Sequence, residues 1–294
     1  HVTTMEPNFP SGGAPTLNVR GLNVLHKLRP RQYTYSWENA RPSAIAENVA
    51  TLLEPKSKKK RFPLPIIVSG EAKAKEEKIH YVSQQNQYDI EFLLNLARRY
   101  GYVVFVVEGN PKAKRPEEQQ KHLYFGPSND HVSGLRKVVY ELKWGISLID
   151  FKPTLTTANQ IKSVTVNGWN RKTKEAIKGT VTLDDKDIRK VNPDLQDFLC
   201  EAREEHVVDE PVFTEGEAKA RARALLSDRL KEMVKASGTC VGLPELRAGQ
   251  YVSIEGVGSR LSGTYFVTDS THTISESGYI TKFNARREEK GAHK

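Results

Sequence analysis

Residues 138–288 alternate short β-type runs with tight-turn residues, and that rhythm constrains the fold more than any other feature of the chain. Val138–Lys143, Ile146–Lys152, Ile161–Asn167 and Glu175–Thr182 read as strands, punctuated by Lys143–Trp144–Gly145 and Asn167–Gly168. Three more strands are predicted around Tyr251–Ile254, Gly263–His272 and Tyr279–Arg287. Between the two groups lie Asp184–Val212, with little regular pattern, and one helix. Thr214 and Glu217 have the spacing of a capping box. Ala218, Ala222, Leu225, Leu226, Leu230 and Met233 form the apolar stripe, and Gly238 marks the helix end. Short strands with tight turns predict a closed barrel or a sandwich, here with one inserted helix.

The preceding stretch has a different character. Over residues 40–130 the pattern predicts a small α/β unit of helix, strand, helix and hairpin. Pro42–Ser43 opens a helix with Ile45, Val49, Leu52 and Leu53 on one face, ended by Pro55. Ile66–Val68 is a brief strand. Tyr88–Tyr100 is a helix carrying Phe92, Leu93, Leu96 and Tyr100, capped by Asn86 or Asp89 and stopped by Gly101. Tyr102–Glu108 and Lys121–Phe125 pair after it. At the amino-terminal end, His1–Met5 reads as a strand already begun, so the chain is expected to be a fragment of a longer one. Pro7–Pro15 reads as a hairpin-type loop and Thr16–Gly21 as its returning strand.

Composition excludes several classes. The 294 residues suggest about two domains of roughly 150 each. With 37% hydrophobic and 28% charged residues the composition is that of a globular chain, not a disordered one. The longest apolar run, Tyr102–Val107, is strand-sized and far below the roughly 18 residues of a membrane helix. Cys200 and Cys240 provide neither a disulfide framework nor a zinc site, and the default for both is a small buried side chain.

The search for chemistry yields no catalytic, cofactor or metal residue. No phosphate loop, nucleophile elbow or zinc helix motif is present. Gly256–Val257–Gly258 sits between strands with no helix start behind it, and reads as a turn. Glu204–Glu205–His206 with Asp209–Glu210 reads as a solvated acidic stretch rather than a metal site. His272 reads as a packed or hydrogen-bonded strand residue. The net charge of +9, from 45 Lys+Arg against 36 Asp+Glu, suits an anionic partner and equally a plain soluble surface. The run Lys56–Arg61 is either a nucleic-acid patch or a solvated loop. Tyr33, Tyr35 and Trp37, beside Arg31 and Arg41, either stack bases or form a half-buried strand, and their alternation favours the strand.

Several segments together carry a family resemblance. Gly242–Gly256, Gly263–Val267, His272 and Ser277–Arg286 (ending Ser-Gly-Tyr-Ile-Thr-Lys-Phe-Asn-Ala-Arg) resemble the end of the late control protein D family of tail proteins. In that family a Pro-x-Leu-x-x-Gly turn, a Gly-x-Tyr-x-Val strand leading to a His, and a Gly-Tyr-x-Thr-x-Phe strand close a barrel. Asn8–Gly21, Gln87–Tyr102 and Val164–Asn170 are similar to its first barrel end, its middle helix-to-strand element and its second barrel opening. Type VI valine-glycine repeat spike proteins have a related hub part.

The resemblance implies a mainly β tail-hub fold with α+β elements. Two β-barrel domains, the first incomplete, flank a small α/β domain, and one helix is inserted in the second barrel. The implied division is 1–39 for the end of the first barrel, 40–137 for the α/β domain and 138–288 for the second barrel, with 184–238 inserted and 289–294 a tail. The implied function is a non-enzymatic baseplate hub of a contractile phage tail or tail-like injection particle. Such a hub forms a homotrimeric, pseudo-sixfold ring adapting the hexameric tail tube to the trimeric central spike. The partners would be two further copies, a tail tube protein, a central spike protein and other baseplate or tape-measure proteins. Neither specific nucleic acid nor stable membrane association is expected, and no cofactor. The location would be the virion tail or tail-like particle, with assembly in the bacterial host cytoplasm. Arg41–Arg61 and Asp184–Val212 are the expected docking segments. The alternatives are a basic nucleic-acid-binding module and a cell-wall hydrolase acting through Glu205 or His206.

Overall fold

A computed structural model describes residues 2–22, 24–109, 116–128, 138–158, 161–171, 173–194, 196 and 203–288. Strands β1 (Val2–Asn8) and β2 (Thr16–Gly21) form an antiparallel hairpin across the Pro/Gly loop. Strand β3 (Gln32–Ala40) leads into helix α1 (Pro42–Val49), whose Pro42 occupies the first turn, where a missing N–H costs nothing. Then come β4 (Ile66–Val68), α2 (Gly70–Lys75), β5 (Ile79–Tyr88) and α3 (Asp89–Arg99). Next are β6 (Val103–Val107), α4 (Pro116–Gln119) and β7 (His122–Gly126). Strand β7 pairs in parallel with β4 and antiparallel with β6, while β3 and β5 form a separate two-stranded ribbon. One core runs through this part, from Leu28 and Trp37 through Ile45, Phe92 and Leu93 to Phe125.

Three details differ from the sequence expectation. Helix α1 stops at Val49, where Thr51 Oγ1 donates to the Asn48 carbonyl; Leu53 leaves the helix face, bridges to Lys60 and is 51% exposed. Strand β5 carries Ser-Gln-Gln-Asn-Gln through its second half and has no sustained apolar alternation to betray it. Neither expected residue caps α3. Asn86 has φ +47° within β5, and Asp89 is the first helical residue, its carboxylate facing Arg61. Gly101 does stop the helix, at φ +66°.

The rest of the chain is β-rich. Strands β8 (Val138–Lys143), β9 (Leu148–Leu155), β10 (Ile161–Asn170) and β11 (Glu175–Thr182) precede β12 (Arg203–Val207) and helix α5 (Glu215–Lys231). Strands β13 (Val234–Val241), β14 (Tyr251–Glu255), β15 (Gly263–Ser275) and β16 (Gly278–Arg287) complete it. Six of them form one sheet in the order β8-β14-β15-β16-β13-β9. Strands β8 and β9 are its two outer strands, yet only Trp144–Ser147 joins them. Six strands laid flat would separate those edges by roughly 24 Å, and four residues reach about 14 Å. The sheet therefore curls into a half-barrel. A smaller sheet, β11-β10-β12, and α5 pack with it around a second core that includes Leu148, Val164, Leu226, Val252 and Phe283.

Helix α5 lies directly on β11 because Gly179 has no side chain; a Cβ there would sit 2.4 Å from the Lys219 nitrogen. Thr214 accepts from the Glu217 N–H as expected, but Glu217 reaches back to Phe213 rather than to Thr214, and also holds Arg99 at 2.7 Å. Gly238 does not end α5. It lies inside β13, where a Cβ would meet the Phe283 ring at 2.6 Å, so the glycine expected as a stop makes room for a core aromatic.

The two cores are bolted together at the helix ends. Arg221 of α5 donates to the Arg98 and Arg99 carbonyls at 3.0 and 2.9 Å, filling the carbonyl-rich end of α3. A buried chain runs Lys231–Ser128–Glu288–Arg286: Lys231 donates to Ser128 at 3.1 Å, and Ser128 and Arg286 donate to the Glu288 carboxylate at 2.6 and 2.7 Å.

Candidate assembly surfaces

The residues singled out for chemistry are taken up by structure. Gly256 and Gly258 hold φ +83° and +87° in the β14–β15 turn. Glu204 pairs with Lys162, Glu205 with Arg229, and Glu210 with Arg221, so the acidic stretch disperses along β12 and the loop after it. Among the described residues no three metal-ligating side chains converge. His272 is hydrogen-bonded from its strand to neighbouring elements, with Nδ1 2.8 Å from the Tyr279 hydroxyl of β16 and Nε2 3.0 Å from the Leu246 carbonyl of the loop before β14. Cys240 is buried, and burial pushes its thiol up to about 11, away from reactivity. Cys200 and the 289–294 tail lie outside the described residues.

The aromatic stretch is a half-buried strand. Trp37 is 8% exposed and stacks on Phe92 with centroids 5.0 Å apart. The Arg61 guanidinium covers the Tyr33 ring at 3.6 Å. Only Tyr35 of the three is exposed.

The two expected docking segments mix core anchors with exposed residues. In 41–61, Ile45, Ala46 and Val49 are fully buried, and Arg61 is drawn inward by Asp89 at 2.6 Å. In 184–212, Ile188 and Asn192 are fully buried, and Asn192 donates to the Leu230 and Arg287 carbonyls at 2.9 and 2.8 Å. The same segment contains β12, which pairs in parallel with β10. A strand of Arg-Glu-Glu-His-Val has no local signature, because its pairing comes from β10.

Two other surfaces are left uncovered. The first is the β1–β2 hairpin, exposed along its whole length. Its register places Met5 opposite Val19 and Pro7 opposite Leu17 on one face, and Glu6 opposite Asn18 on the other, where Arg20 meets Glu6 at 3.6 Å. Phe9 at the loop is 76% exposed. A two-stranded hairpin has little stability in water by itself, so an amphipathic one needs a cover for its apolar face. The second surface is the end of the half-barrel. Trp144, Ile146 (74% exposed), Ile149 and Val241 gather there, and the Val241 N–H donates to the Ser147 carbonyl at 3.3 Å. The outer edges of β8 and β9 flank this patch and pair with no strand among the described residues. Sequence reasoning placed Ile146 and Ile149 in a strand but had no means of telling which side chains the curl leaves outside.

No curated protein matches the chain by sequence. Several solved structures share its fold. The 43 kDa tail protein of prophage MuSo2 from Shewanella oneidensis is 16% identical with a TM-score of 0.65, covering 97% of this chain and 78% of that one. A tail protein from Neisseria meningitidis MC58 is 13% identical with a TM-score of 0.65 and the same coverage. The E. coli c3393 protein, a component of the type VI secretion system, is 12% identical with a TM-score of 0.57 and covers 100% of this chain, which spans 62% of its length. The fold is thus that of phage-tail-like proteins. The protein-family model described as the Alg8 N-terminal domain matches residues 67–276, well over half of the chain, and the chain belongs to that family.

Proposed function

We propose that this chain is a structural baseplate hub protein of the late control protein D type, in a contractile phage tail or tail-like injection particle. Three copies would close a ring between tail tube and central spike, in the virion tail, without enzymatic activity. The domain division proposed with it is 1–39, 40–137 and 138–288. The observation that carries the reading is the pair of uncovered apolar surfaces, hairpin and half-barrel end, on a fold shared with tail proteins. Open strand edges and apolar faces are what neighbouring subunits cover in a closed ring.

Light scattering at low and high salt tests it. A mass of three chains that survives high salt, and falls to one chain in W144E/I146E, is the expected result. A single chain at every salt and protein concentration overturns the reading.

A further inference from the structure

The turn between α1 and β4 concentrates positive charge in an unusual way. Lys56, Lys58, Lys59 and Lys60 are all exposed, and none forms an ion pair with another described residue. Some lysines elsewhere are neutralised, such as Lys73 by Glu47, Lys121 by Glu108 and Lys235 by Glu232, but no other run of the described chain places four exposed lysines within five residues. The turn is also held in place. Glu54 N–H donates to the Lys59 carbonyl at 2.8 Å, Lys58 N–H to the Glu54 carbonyl at 3.0 Å, and Arg61 N–H to the Leu52 carbonyl at 2.9 Å. Arg61 then leaves the charge run and anchors the stem in the core through Asp89.

We infer that this lysine turn is a docking site for the phosphate backbone of double-stranded DNA, with no sequence preference. The chemistry selects that partner. Protein interfaces favour aromatic and arginine anchors and are depleted in lysine. Here the one arginine of the run is buried, and its guanidinium covers the Tyr33 ring. The exposed cations of the Lys56–Lys60 run are all lysines, whose point-charge contact suits phosphate and reads no base edge. The inference stands independently of ring assembly.

The test is anisotropy of a labelled 20-bp duplex titrated with the full chain from 50 to 200 mM salt. Four phosphate contacts imply a log–log slope of about −3.6, or roughly a 150-fold loss of affinity over that range. In K56Q/K58Q/K59Q/K60Q the slope should flatten by about 3.6. In K152Q/K178Q/K219Q/K282Q, which removes equal charge from exposed positions elsewhere, it should hold. All eight side chains are exposed, so both variants should melt with the parent. Equal losses in the two variants, or no loss in the first, overturn the inference. Binding of polyglutamate as tightly as duplex at matched charge overturns it as well, assigning the turn to acidic proteins instead.

Discussion

Replacing Arg61 by leucine is expected to destabilise the α/β part of the molecule by about 3–4 kcal/mol. Arg61 and Asp89 are an ion pair at 2.6 Å with side chains only 5% and 3% exposed. Removing one partner from such a pair typically costs about 3–5 kcal/mol, because the other charge stays buried and unpaired. Asp89 keeps one neutral donor, the Gln84 amide at 2.8 Å, which places the cost in the lower half of that range. Loss of the guanidinium over Tyr33 adds roughly 0.5–1 kcal/mol. Urea unfolding followed by tryptophan emission reads the effect. Of the 3 tryptophans, Trp37 is buried in this core, while Trp144 and Trp169 are exposed and respond little. The double variant R61L/D89L should recover most of the loss, since both charges leave the interior together. A loss below about 1 kcal/mol in R61L, or a double variant as unstable as the two single losses summed, refutes the reasoning.

Gly179→Val should lower the melting temperature in differential scanning fluorimetry by an amount equivalent to about 1–3 kcal/mol, because the new side chain strikes α5. Gly12→Ala, with nothing within 4 Å, should not move it. In a C200S background, Cys240 should resist a thiol reagent at pH 8 until the chain unfolds, since burial holds the thiol at about 11. Glu288 should make stability fall in acid. Burial alone would raise its carboxyl, but Lys231 and Arg286, with the Ser128 hydrogen bond, outweigh it and hold the group below the ordinary 4.5. Its contribution is therefore complete above that value and lost as pH falls through the lower folded value. In urea titrations E288Q should be less stable near neutrality and should lose less stability than the parent between pH 5 and pH 3; parallel pH profiles would contradict this.

Local pattern alone determined the elements whose signal lies within one segment. The period-2 runs of β10 and β11, the stripe of α3 and the Thr214 cap of α5 are legible because each residue's place follows from its neighbours in the chain. The turns and strands made a mainly β part legible, and the family resemblance of several segments pointed to the phage-tail-like fold. Tertiary structure decided the remainder. Strands β5 and β12 are polar and exist because β3 and β10 offer partners. Gly238 reads as a helix stop until the Phe283 ring, 45 residues on, is found over it. Arg61 is one more charge in a basic run until Asp89 draws it inside, which separates a buried anchor from four exposed lysines. The uncovered surfaces belong to this second class. Which of Ile146 or Val241 faces water depends on the curl of a sheet, and curl arises from contacts between segments that no local periodicity records.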